Sequence, residues 1–212
     1  MSIQQSPRPA TPSSGRPGLV AVRTALVTSV LFVAALWLIE GINVLDHNGL
    51  DSWGIVPRNT DGLRGIAFAP LLHAGWGHLM ANSVPALVLG FVGLVAGAAR
   101  FLSATVLVWV VSGIGVWLTG GSNTVVIGLS GVLFGWMTYV VLRGFLSRDL
   151  LWSLVGVVLL VLYGGMLWGV IPGQVGISWQ AHLWGAIGGV LAAVLLRRRR
   201  PVERASALPD IR

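Results

Sequence analysis

Long uninterrupted apolar stretches alternate with short polar segments along this chain. A helix needs roughly 20 apolar residues to cross the hydrocarbon core of a bilayer, and most of these stretches approach that length. The pattern predicts six membrane-spanning helices, over residues 19–39, 78–98, 101–118, 130–146, 150–171 and 179–196. We therefore expect an all-α polytopic membrane protein: a bundle of six transmembrane helices with a large loop between helices 1 and 2.

The segments outside the spans differ in composition from the membrane domain, which we assign to residues 19–196. Residues 1–18 are rich in Pro, Ser and Gly, which predicts a disordered N-terminal tail. Residues 197–212 begin with four consecutive arginines and form a basic C-terminal tail. The longest connection, residues 40–77, contains the amphipathic string LRGIAFAPLLHAGWGHLM at its end, so we expect this loop to lie partly in the membrane interface.

The charged residues predict how the helices are oriented. The chain has a net charge of +7 and no lysine, and all of its 14 basic residues except Arg58 and Arg64 fall on the side of the membrane that holds both termini. Positive charge accumulates on the cytoplasmic side, so a plasma-membrane protein with both termini in the cytoplasm is expected. The arginine run directly follows a span and is best interpreted as an anchor on the lipid surface, not as a nucleic-acid site.

A few polar residues interrupt the predicted spans, where such side chains are costly. His78 and Asn82 begin the second span, Ser130 begins the fourth and His182 lies near the start of the sixth. These three spans run in the same direction, so the four residues are expected at similar depth near the outer face. Each also has a structural interpretation: small-residue packing for Ser130, a helix-start pair for His78 and Asn82, and a buried or proton-relaying histidine for His182.

The residue types that the chain lacks exclude several kinds of nucleophilic catalysis. Cysteine and lysine are absent, which leaves a serine activated by histidine as the familiar nucleophilic pair. His182 would accept the proton of the Ser130 hydroxyl and pass it to the leaving amine. His78, the Asn82 amide and the backbone N–H of Ser130 would donate to the oxyanion. The predicted spans contain no acidic residue near this depth, so a catalytic dyad is expected.

Glycines accompany both members of this dyad. Gly131 follows Ser130 directly, and Gly185 and Gly189 follow His182 by three and seven residues. Small residues on two helix faces allow the close approach that a hydroxyl and an imidazole need. The same spacing also fits ordinary helix packing.

Three motifs together resemble those of the rhomboid intramembrane serine proteases, over roughly residues 20–196. HAGWGHLMAN, from His73 to Asn82, resembles the histidine-rich stretch of that family, and GLSG, from Gly128 to Gly131, resembles its nucleophile motif. AHLWGAIGG, residues 181–189, resembles its last helix. Arg64 stands where rhomboids often have a Trp-Arg pair, although Leu63 replaces the tryptophan.

The resemblance implies a rhomboid-like bundle in which Ser130 is the nucleophile, His182 the general base, and His78 and Asn82 the oxyanion donors. It makes His73 a structural residue of the outer loop. The implied activity is cleavage of single-span membrane proteins near the outer face, without metal, nucleotide or cofactor. Phe134 is a departure, because rhomboids often have a tyrosine there that stacks on the catalytic histidine, so we expect slightly weaker support for His182.

Other functions are less consistent with the residues. A zinc protease needs H-E-x-x-H, which is absent, and an aspartyl protease needs two intramembrane aspartates, whereas Asp149 is the acid nearest a later span. A catalytically silent rhomboid-like protein that binds membrane clients remains an alternative. A small transporter with a histidine relay is a second, although the inner halves of the spans offer few polar residues.

Overall fold

A computed structural model describes residues 18–197, so nearly all of both predicted tails lies outside the described residues. The described part is helical, and its strand-like pairing is limited to one isolated bridge. The α-helices are α1 (Leu19–Leu45), α2 (Gly65–Phe68), α3 (Trp76–Thr119), α4 (Ser130–Ser147), α5 (Leu150–Tyr163) and α6 (Trp179–Leu195). Short 3-10 helices shape the loop after α1, and another, Gly164–Val170, continues α5.

α3 contains the second and third predicted spans joined end to end. Its backbone leaves helical geometry at Gly97, where φ is 149° and ψ is 94°, a conformation that a residue with a side chain rarely adopts. The chain reverses there, because a Cβ on Gly93 would collide with the ring of Phe101, whereas residues eight apart in one continuous helix are separated by about 12 Å. The Arg143 guanidinium donates to the carbonyl of Ala96 at the end of the first segment, which satisfies a carbonyl that the helix leaves free.

The predicted all-α membrane bundle is confirmed. Helices α1 and α3 and the segment Leu150–Val170 are long and apolar enough to cross a membrane, and α6 is a shorter apolar helix. α4 occupies the centre, packed against α3, α5 and α6. Its buried residues surround the helix axis, whereas α5 buries only Gly156 and Leu159. α4 is thus the buried central helix of the described bundle, whereas α5 is largely exposed.

α1 extends six residues beyond the predicted end of the first span at residue 39, because Ile42, Val44 and Leu45 continue the apolar run after a single acidic residue. Glu40 consequently belongs to the helix and not to the loop. It is 1% exposed, and neither carboxylate oxygen has a hydrogen-bond partner among residues 18–197. The first span therefore contains a buried carboxyl group that the sequence-based boundary had placed outside it.

The loop after α1 is fastened to the loop that leads into α4. Ile55 and Val126 exchange two backbone hydrogen bonds of 2.9 Å. Arg58 donates through its guanidinium to the carbonyl of Gly120 at 2.8 Å and to the Ser122 hydroxyl at 2.9 Å. Its backbone N–H also donates to the Trp117 carbonyl at 3.0 Å, near the end of α3. These bonds fix the segment immediately before Ser130.

Candidate active site

Ser130 is the first residue of α4, at the end of the helix that faces the loops. Its hydroxyl oxygen lies 2.8 Å from Nε2 of His182 on α6. The first N–H groups of an α-helix have no intrahelical acceptor and carry the positive end of the helix dipole. The serine hydroxyl is therefore next to a base and next to backbone donors suited to an anion.

Besides Ser130, two groups hold His182 in place. Its ring is 7% exposed, and its second nitrogen, Nδ1, lies 2.9 Å from the carbonyl oxygen of Gly169. The ring of Phe134 stacks on it with centroids 4.1 Å apart and an interplanar angle of 8°. Phe134 thus makes the aromatic contact expected of a tyrosine at that position.

A cavity of about 400 Å³ adjoins Ser130 and His182, and both His78 and Asn82 line it. Nδ1 of His78 accepts from the backbone N–H of Ala74 at 3.3 Å, so in the neutral ring Nε2 carries the proton. The buried amide nitrogen of Asn82 has no hydrogen-bond partner in the described part of the chain. The cavity therefore has two side-chain N–H groups available to an incoming acceptor.

Gly128 makes room for His78. Its φ is 120°, in the region that favours glycine, and a Cβ there would lie 2.5 Å from Cε1 and 2.8 Å from Nε2 of His78. Its N–H donates to the Ala69 carbonyl at 2.8 Å. The glycine of the nucleophile motif therefore allows the imidazole to lie against the backbone two residues before Ser130.

The other motif glycines bring α4 and α6 together. A Cβ on Gly185 would collide with the carbonyl oxygen of Gly131, and a Cβ on Gly189 would collide with that of Gly135. A Cβ on Gly131 would lie 2.9 Å from the Ala181 carbonyl oxygen. The two helices meet backbone to backbone, and this contact sets the distance between Ser130 and His182.

His73 and Arg64 lie outside the cavity lining. The His73 ring is 0% exposed and packs at 5.1 Å on the ring of His78. Burial, followed by the neighbouring His78, lowers the pKa of His73 to about 4. Arg64 lies over the Trp53 ring at 5.1 Å and donates to the Ser52 carbonyl at 3.5 Å. Both residues belong to the packing of the loop.

Sequence reasoning missed two groups at the site. Gly169 contacts His182 from the 3-10 helix after α5, and nothing in its local sequence marks it apart from other glycines. Ser112 on α3 donates to the Ala181 carbonyl at 3.1 Å, next to His182, and a serine inside an apolar span was the available signal. Within residues 18–197, no cluster of three or more His, Cys, Asp or Glu side chains is arranged to hold a metal ion.

The fold and the site define a helical integral membrane protein with a serine and a histidine paired at one end of its central helix. The sequence matches the Rhomboid domain over residues 61–199, and the chain belongs to the rhomboid family. It is also 46% identical over 211 residues to uncharacterized proteins of Mycobacterium bovis and Mycobacterium tuberculosis, covering 94% of this chain and 87% of theirs. An uncharacterized protein of Mycobacterium leprae is 46% identical over 179 residues, covering 80% and 70% of the two chains.

Proposed function

We propose that this protein is an intramembrane serine endopeptidase that cleaves single-span membrane proteins. The observation that carries the proposal is the 2.8 Å contact between the Ser130 hydroxyl and Nε2 of His182, beside a cavity that has N–H donors. A packing serine needs neither a histidine nor a cavity. Membership of the rhomboid family, which generally consists of such proteases, supports the same conclusion.

The reaction follows from the positions of the donors and acceptors. Oγ of Ser130 attacks the carbonyl carbon of the scissile peptide bond while its proton moves to Nε2 of His182. The oxyanion accepts hydrogen bonds from Nε2–H of His78, the amide of Asn82 and the N–H of Ser130. His182 then protonates the leaving amine, the C–N bond breaks, and water hydrolyses the acyl-enzyme with the same base. Removing one oxyanion donor typically costs about 10²–10³ in rate.

The proposed orientation puts this chemistry near the outer face of the plasma membrane, with both termini in the cytoplasm. The arginine distribution supports it. Because the chain lacks cysteine, single substitutions provide a clean test. Val175 is 99% exposed in the loop before α6, so Val175→Cys should react with an impermeant maleimide on intact cells. Arg148 is exposed in the turn between α4 and α5, so Arg148→Cys should react only after lysis. The reverse pattern would overturn the orientation.

The activity is tested with purified protein in lipid vesicles and a fluorescent single-span substrate. Wild-type protein should cleave it, and Ser130→Ala and His182→Ala should not. Ser103→Ala and His47→Ala are the matched controls, because both residues are exposed and lie outside the cavity, and they should retain full activity. Full activity in Ser130→Ala would refute the proposal. Wild-type protein that neither cleaves nor reacts with a fluorophosphonate would instead favour a catalytically silent rhomboid-like protein.

A further inference from the structure

The contact between His182 and Gly169 is not part of the proposed dyad. Nδ1 of His182 is 2.9 Å from the Gly169 carbonyl oxygen, and this contact is buried. Gly169 belongs to the 3-10 helix Gly164–Val170, which packs on both α5 and α6. One imidazole thus lies between the serine hydroxyl on α4 and a backbone carbonyl on the segment after α5.

A carbonyl oxygen only accepts hydrogen bonds, so the contact requires a proton on Nδ1. The neutral ring then has its lone pair on Nε2, directed at the Ser130 hydroxyl 2.8 Å away. This is the tautomer that a general base needs. The opposite tautomer would put two lone pairs against each other at Gly169 and would leave Nε2 unable to accept the serine proton.

We propose that the Gly169 carbonyl is the positioning group of His182, in the role that a carboxylate has in a Ser-His-Asp triad. The inference rests on the proposed protease function, because it assigns the tautomer that this chemistry uses. The carbonyl dipole also favours the imidazolium that forms when Ser130 attacks, since Nδ1 continues to donate. A neutral carbonyl does this without placing a second charge in the membrane domain.

Position 169 requires glycine because any side chain there would collide with the His182 ring. A Cβ there would lie 2.5 Å from Nδ1 and 2.9 Å from Cε1 of His182, and 3.2 Å from Cζ of Phe134. The imidazole would have to shift by roughly 1 Å, and a misplacement of this size costs about 100-fold in rate. A Cβ on Gly164, in the same 3-10 helix, would meet no atom within 4 Å, and Gly164 does not line the cavity. It provides a matched control.

The kinetic experiment compares Gly169→Ala with Gly164→Ala in the full-length protein. We expect Gly169→Ala to lower kcat and the rate of fluorophosphonate labelling at Ser130 by about 100-fold with little change in KM. Gly164→Ala should match the wild type. Equal labelling by the two variants, at equal thermal stability, would overturn the inference.

A spectroscopic measurement on the wild-type protein tests the same hydrogen bond without measuring activity, and a variant is needed only to assign the signals. Wild-type protein labelled with ¹⁵N-histidine, at a pH where the imidazoles are neutral, should give a pyrrole-type Nδ1 signal and a pyridine-type Nε2 signal that both disappear in His182→Ala. The opposite tautomer in an active wild-type protein would refute the inference and leave the protease function standing. The expected tautomer in a wild-type protein without activity would refute the function and leave the hydrogen bond standing.

Discussion

Phe134 offers the most direct test of how this protein would hold His182, the proposed base, without a tyrosine. The ring is 2% exposed and lies nearly parallel to His182 at 4.1 Å. Aromatic pairs of this kind contribute about 0.5–1.5 kcal/mol beyond the area that they bury. Phe134→Leu keeps an apolar side chain and removes the stack. If the whole interaction serves to hold the imidazole in place, the rate should fall by about 2- to 13-fold.

The assay is the second-order rate of fluorophosphonate labelling at Ser130, measured together with kcat on a single-span substrate. Tyr139→Leu is the matched control, because Tyr139 is also a buried aromatic of α4 and packs on Phe101 instead of His182. We expect the control to lower thermal stability but not the labelling rate of the folded protein. Labelling of folded Phe134→Leu at the wild-type rate would refute the idea that the stack positions the base.

Phe134→Tyr tests the expectation that the missing hydroxyl weakens this support. Tyrosine keeps the ring, so the stack should persist and the labelling rate should equal or exceed that of the wild type. A ten-fold loss would mean that the space next to Gly169, near Cζ of Phe134, does not accept a hydroxyl.

Three further perturbations address the framework around the site. Gly185→Ala should destabilise the protein by about 1–3 kcal/mol, because the new Cβ would collide with the Gly131 carbonyl. The variant should also react more slowly with the fluorophosphonate at Ser130. An unchanged melting temperature and labelling rate would contradict the backbone contact between α4 and α6. Arg58→Ala should lower the free energy of unfolding by about 1 kcal/mol, because the lost hydrogen bonds come from a partly exposed guanidinium. A melting temperature equal to that of the wild type would show that these hydrogen bonds do not stabilise the loop. Burial lowers the pKa of His73 from 6.5 to about 4, so between these pH values the folded state binds fewer protons than the unfolded state. The free energy of unfolding should therefore fall as the pH decreases through this range, by up to about 3 kcal/mol. Melting curves of His73→Gln should show a weaker pH dependence than the wild type, and identical slopes would refute this assignment.

The lengths of the apolar stretches allowed much of the helical architecture to be predicted from the sequence. Six runs of roughly helical span length predicted the bundle, since backbone groups in lipid must be satisfied within each helix. The motif around Ser130 and the last helix around His182 singled out both side chains, because polar groups inside apolar runs are few and costly. The end of α1 was less predictable, since one acidic residue, Glu40, does not stop a helix whose next turn is again apolar.

The tertiary structure alone decided what surrounds those side chains. Gly169 is separated from His182 by 13 residues, and only the packing of the 3-10 helix after α5 brings its carbonyl to Nδ1. A backbone carbonyl has no side-chain identity, so no sequence pattern can mark it. The same holds for the contact of Gly185 with the Gly131 carbonyl, where the sequence indicated small residues but not which backbone atoms they face. Sequence thus determined which groups are available for chemistry, and the close packing of α4, α6 and the segment after α5 determined how one imidazole is oriented between them.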